Sequence, residues 1–170
     1  DRLYVNKQIQ SVLTKKYSDI REVYADYTNL TFLEDYLRTY DEVENFRFYT
    51  DNQALLDNSF IVKATWKLKT ELWYDTALRL KGAPFWTIKK DSVNKKEYLS
   101  LVRSVWSTSN GRFIGVLCIN LDGDVIEKQL HNQFFDTSIV FNKRILYFNN
   151  KQMQARDRAQ LLSIFDESHN

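Results

Sequence analysis

The chain has 170 residues, 24 basic and 22 acidic side chains, four Gly, one Pro and a single Cys, a length that fits one domain or one domain with a small second lobe. Tyr, Phe and Trp make up 15% of it, which excludes a disordered chain; the lone Cys118 excludes a disulfide scaffold, and the few Gly and Pro exclude collagen-like and low-complexity classes. The net charge of +2, with Lys15-Lys16, Lys89-Lys90 and Lys95-Lys96 scattered among acids, argues against a nucleic-acid partner.

In chain order, Val5, Ile9, Val12, Leu13, Ile20, Val23, Tyr24 and Tyr27 recur at three- and four-residue steps with no Gly or Pro between them, which predicts one long N-terminal helix. Thr28-Asn29 breaks it, and Leu33, Tyr36, Leu37 and Tyr40 mark a second helix. Residues 46–50 read as a short strand closed by Asp51-Asn52. Residues 64–80 read as a helix with Trp66, Trp73, Ala77 and Leu80 along one side, stopped by Lys81-Gly82-Ala83-Pro84. Strands follow at 85–89, 98–107 and 112–121, the last two joined as a hairpin through Ser109-Asn110-Gly111. Apolar residues on both faces of these strands predict a sheet covered on both sides. A short helix is expected over about 125–133. The tail, with strands at 138–141 and 145–148 and a helical run near 159–165, has too few apolar residues for a core of its own. The expected division is therefore 1–130 and 131–170, the second part a small or truncated lobe.

No run of eighteen apolar residues is present, so this stretch does not span a membrane, and no signal peptide is visible. The chain opens on Asp1 and reads as an excised piece, its membrane segments beyond its ends.

Catalytic motifs are absent. His131 lies on a polar helix and His169 next to the terminus, without a triad or metal partner. There is no His-Glu-x-x-His, Cys-x-x-Cys, P-loop or Gly-x-Gly-x-x-Gly, so no cofactor is indicated and the fragment reads as non-catalytic. Cys118, inside Val116-Leu117-Cys118-Ile119, reads as a buried structural thiol. The stretch Asn120-Leu121-Asp122-Gly123-Asp124 departs from a calcium loop at its sixth and twelfth positions, Val125 and His131. Asp122 or Asp124 is expected to cap a helix instead. Asn29-Leu30-Thr31 matches a glycosylation sequon, a pattern that chance also produces.

A candidate binding site lies in the middle of the chain. Trp73 and Tyr74 sit on the predicted helix and Trp86 begins a strand. Aromatic walls with a few polar tips hold small polar ligands. Arg103 and Asn120 interrupt apolar strands, and a buried Arg needs a carboxylate or an anionic ligand. The five candidate residues are therefore Trp73, Tyr74, Trp86, Arg103 and Asn120. The bland alternative is a Trp-rich core with Arg103 pointing out of it.

Several of these segments together resemble a known family: Phe48-Tyr49-Thr50-Asp51-Asn52, Leu72-Trp73-Tyr74-Asp75-Thr76-Ala77, Pro84-Phe85-Trp86, Tyr98 to Arg103, and Ile114 to Leu121. The chain resembles the extracellular Cache sensor domains of bacterial membrane histidine kinases, most nearly the YesM-like kinases, over about residues 1–130. The resemblance implies an α+β fold with a long N-terminal helix packed on a PAS-like antiparallel sheet, and a small reduced C-terminal lobe. It implies an extracytoplasmic domain that binds a small polar ligand, in a dimeric parent kinase that signals to a response regulator through cytoplasmic domains. A chemoreceptor sensor, or a module contacted by a solute-binding protein or a dimer partner without a ligand of its own, is the alternative. Amino-acid-binding Cache domains place an Arg two residues before the Trp-Tyr pair and an Asp on the last strand; here those positions are Glu71 and Asn120. These departures lead to the expectation of a neutral, sugar-like ligand.

Overall fold

The computed structural model describes residues 3–132, 138–142 and 144–148. Its chain divides into two compact units, Asp1–Leu121 and Asp122–Asn170. The expected α+β class is found.

The first unit does not begin with one long helix. A 3-10 turn at Leu3–Val5 leads into α1 (Lys7–Thr14), α2 (Ile20–Thr28) and α3 (Phe32–Thr39). Periodicity continues across 15–19, but local hydrogen bonds break the helix there. The Asn52 amide donates to the carbonyls of Leu13 (3.2 Å) and Lys15 (2.9 Å), satisfying groups that a continuing helix would use. Asp19 then caps α2 by accepting from Arg21 N. Tyr17 pins the intervening loop through bonds to the Val12 carbonyl and to Asp26, and Asp26 also pairs with Lys15 at 2.9 Å.

Five strands form one mixed sheet: β1 (Val43–Thr50), β2 (Ile61–Lys63), β3 (Phe85–Lys90), β4 (Glu97–Trp106) and β5 (Phe113–Leu121), in the order β2-β1-β5-β4-β3. The β4–β5 pair is antiparallel, as its turn chemistry predicts, and so are β1–β5 and β3–β4. The sheet is not wholly antiparallel, because β2 runs parallel to β1. At three residues it is too short to show a period. It is held by side chains of the preceding loop: Asn58 accepts from Phe60 N and Ile61 N, and Asp57 accepts from Lys63 N.

Each face of the sheet carries its own core. Phe46, Phe48, Ile61, Val105, Leu117 and Ile119 pack against Ile9, Val12, Val23 and Leu33 of α1–α3. Tyr49, Val62, Val102, Val116 and Cys118 pack against Trp73, Tyr74 and Ala77. The latter three come from α5 (Leu72–Arg79), which follows the short α4 (Trp66–Lys69). The single helix expected over 64–80 is thus two. The α5 face buries Trp73, Tyr74 and Ala77, whereas Trp66 and Leu80 are exposed.

The second unit opens with α6 (Gly123–His131), capped by Asp122, whose carboxylate accepts from Asp124 N and Val125 N. That is the cap expected in place of a calcium loop. A two-stranded antiparallel hairpin follows, β6 (Ser138–Phe141) and β7 (Arg144–Phe148). The helical run expected near 159–165, and His169, lie outside the described residues. Among the described residues no helix is long and apolar enough to cross a membrane.

Candidate functional site

The five candidate residues do not share one site, because side chains along a strand alternate between faces. Asn45, Arg47 and Tyr49 of β1 pair with Asn120, Cys118 and Val116 of β5. Those three pair in turn with Ser100, Val102 and Ser104 of β4, and Val102 and Ser100 pair with Phe85 and Thr87 of β3. All of these side chains, with Lys89, stand on the face covered by α5. Trp73, Tyr74 and Asn120 are brought together there.

Trp86 and Arg103 belong to the opposite face. Trp86 pairs with Leu101 and Arg103 with Leu117, both part of the core under α1–α3. Trp86 is 45% exposed. Arg103 has partners that need no ligand: its Nη2 donates to the Gly82 carbonyl at 2.6 Å, and its guanidinium lies 3.4 Å from the centre of the Tyr4 ring. A surface groove of about 250 Å³ on this side, lined by Lys7, Gln8, Ser11, Val12, Asp26, Asn29 and Leu30, contains none of the five.

The α5 face holds a buried polar cluster that sequence spacing did not reveal. The turn after β3 crosses the face and carries Asp91, which is wholly buried. Asp91 Oδ1 accepts from Val93 N (2.7 Å) and Asn94 N (3.1 Å). Its Oδ2 accepts from Asn120 Nδ2 at 2.9 Å and faces Arg47 Nε at 3.3 Å. The ion pair is close, but Nε is not aligned for a hydrogen bond. Asn120 also donates to Asn45 Oδ1 and accepts from Ser100 Oγ, both at 2.7 Å. Asn120 is therefore the hub of the cluster, with Asp91, Arg47, Asn45 and Ser100 as residues missed from sequence. The weak signal for Asn45, Arg47 and Ser100 was polar side chains at alternate positions of apolar strands; Asp91, in a turn, gave none.

Beside this cluster stands an aromatic box. The Trp73 ring lies 5.4 Å from Tyr49 and 5.5 Å from Tyr74. Lys89 Nζ sits 4.8 Å from the Trp73 ring centre and 5.5 Å from that of Tyr49. Ser92 Oγ donates to the Tyr49 hydroxyl at 3.1 Å. Burial holds the Tyr49 and Tyr74 hydroxyls well above the usual phenol range, so both stay protonated. Glu71, which the resemblance aligns with a ligand-binding Arg, is exposed at the cap of α5 and makes no capping bond.

Cys118 lies under this face, wholly buried, and burial pushes its thiol up to about 12. A neutral, inaccessible thiol is unreactive. The folded protein is expected to resist a thiol-specific chromogenic reagent at pH 8 and to react stoichiometrically once unfolded. Labelling of the native form on the timescale of mixing would show that the face is open. Among the described residues no cluster of His, Cys, Asp and Glu could hold a metal.

No protein-family model matches the chain, and no curated protein matches it in sequence. Solved structures do match in fold. The sensory domain of the Campylobacter jejuni chemoreceptor Tlp3 with isoleucine bound superposes with a TM-score of 0.58 at 13% identity, over 95% of this chain and 69% of that one. The ligand-binding domain of the same receptor in complex with 4-methylisoleucine gives 0.57 at 15% identity, over 89% of this chain and 64% of that one. Its complex with L-valine gives 0.57 at 15% identity, over 89% and 65%. The chain thus spans about two thirds of the length of these domains. The likeness is one of fold, a PAS-like α+β architecture.

Proposed function

We propose that this chain is the extracytoplasmic ligand-sensing part of a bacterial membrane receptor, and that the ligand seats on the α5 face. The observation that carries this reading is the buried cluster of Asn120, Asp91 and Arg47 beside the Trp73–Tyr49–Tyr74 box. A sheet face built only for packing has no need of so many desolvated polar groups. The fold shared with chemoreceptor domains that bind isoleucine and valine supports it. No catalytic step is assigned to the fragment. Ligand binding would favour one packing of α5 and the crossing turn over another, and that differential affinity would be passed to the membrane segments.

The parent protein is proposed to be a dimeric sensor kinase acting on a response regulator, from the Tyr-Thr-Asp-Asn and Trp-Tyr segments. The chemoreceptor alternative draws support from the Tlp3 fold. The reason for favouring a sugar weakens, since Glu71 is exposed at the cap of α5 and is not part of the buried face where it would repel a carboxylate. A second reading, contact with a solute-binding protein, draws on Trp66 and Leu72, which are 79% and 75% exposed.

A thermal-shift screen against sugars, oligosaccharides, amino acids and carboxylates tests the reading. A ligand at about a hundred times its Kd stabilises by roughly 2.7 kcal/mol, or roughly 5–10 °C at this size. The expected result is a shift that Trp73→Ala abolishes while the circular dichroism stays native-like. A shift unchanged in that variant would overturn the placement, and a flat screen would favour the partner-contact reading.

A further inference from the structure

Among the described residues, four buried side-chain polar atoms have no hydrogen-bond partner: Arg47 Nε, Tyr74 Oη, Lys89 Nζ and Arg103 Nε. All four can donate. Arg47 has Asp91 as its counter-ion, and Arg103 lies on the far face against Tyr4. Lys89 and Tyr74 remain, both against Trp73 on the α5 face.

Lys89 is 4% exposed; its ammonium has no hydrogen-bond partner and stands over the ring faces of Trp73 and Tyr49. Rings offset part of the hydration an ammonium loses, but they accept no hydrogen bond of ordinary strength. The face buries two cations, Arg47 and Lys89, against one carboxylate, Asp91, and so carries one positive charge in excess. Asp91 has nothing left to offer a ligand cation, since one oxygen is taken by two backbone N–H groups and the other by Asn120 and Arg47.

We propose that the ligand is a monocarboxylate with an apolar tail, its carboxylate held by Lys89 Nζ and the Tyr74 hydroxyl and its tail laid against Trp73 and Tyr49. The inference rests on the reading of the α5 face as the ligand site. It names the charge that is recognised: the carboxylate, and not an ammonium. One negative charge matches the excess, whereas a phosphate monoester would overshoot it.

Calorimetric titration of the purified domain with pentanoate, L-norvaline, L-norvaline amide and glucose tests this. Pentanoate and L-norvaline are expected to bind, and the amide, which keeps the ammonium but lacks the carboxylate, is not. Lys89→Met should weaken the carboxylates by roughly ten- to hundredfold, the range for a lost charged hydrogen bond, without lowering the melting temperature. Tyr74→Phe, which cannot collapse the core, should weaken them by less. Amide binding equal to that of L-norvaline, or pentanoate binding undiminished in Lys89→Met, would overturn the proposal. Glucose binding without carboxylate binding would overturn it too, while leaving the sensor reading intact. If no compound of this set or of the wider thermal screen binds, both fail.

Discussion

Gly115→Ala is expected to lower the melting temperature by roughly 6–12 °C, the equivalent of about 3 kcal/mol at this chain length. Gly115 sits in the centre of the sheet, paired with Thr50 on β1 and Val105 on β4. A Cβ there would fall well inside van der Waals contact of the Tyr49 carbonyl oxygen, 3.3 Å from the carbonyl carbon and 3.5 Å from Thr50 Cα. These are backbone atoms, so no side chain can swing aside. Relief requires β1 and β5 to part, which breaks the ladder under both cores. Gly111 is the control. It has φ +67° but open space around it, so Gly111→Ala should cost only about 1–2 kcal/mol of left-handed strain. Thermal melts of the two variants decide it: equal losses would mean that conformation, and not close approach, sets the need for glycine at 115.

Asp91→Asn is expected to cost about 3–5 kcal/mol, the range for removing one partner of a buried ion pair. The substitution leaves the Arg47 guanidinium uncompensated among buried groups. It also turns an amide NH₂ toward the Asn120 donor, or, flipped, toward the N–H groups of Val93 and Asn94. Neither orientation satisfies the cluster. Arg47→Met combined with Asp91→Asn should recover roughly half of the loss, because the stranded charge is gone. Urea unfolding of the two single variants and the double variant measures this coupling. Strict additivity would show that Arg47 and Asp91 contribute independently, contrary to the contact between them.

The fold was legible wherever a periodic pattern met a strong local stop. The β4–β5 hairpin is bounded by Ser-Asn-Gly, and α5 ends at Lys81-Gly82, both with positive φ. The break between α1 and α2 was not legible, because its cause is Asn52, more than thirty residues away in sequence. The split of helix 64–80 escaped for a related reason: Trp66 keeps the spacing of a buried face, yet it is exposed. At the site, composition pointed to Trp73, Tyr74 and Asn120, but sequence spacing does not say which face of a sheet a residue occupies until the strand register is known. Register separates Trp86 and Arg103 from the other three. Asp91 and Lys89 were hidden because a charged residue in a turn or at a strand end reads as solvated. The turn after β3 carries Asp91 onto the buried face beside Asn120, and Lys89 is covered by the Trp73 ring of α5.

The most direct measurement is a titration followed through the four Trp indole N–H resonances of a nitrogen-15-labelled sample, assigned by single Trp→Phe variants. The probe is whichever compound gives the largest thermal shift. A ligand seated on the α5 face moves the Trp73 resonance, while those of Trp86, on the opposite face, and of exposed Trp66 hold still. Movement of Trp86 with Trp73 unchanged would contradict the central claim and place binding on the side of α1–α3.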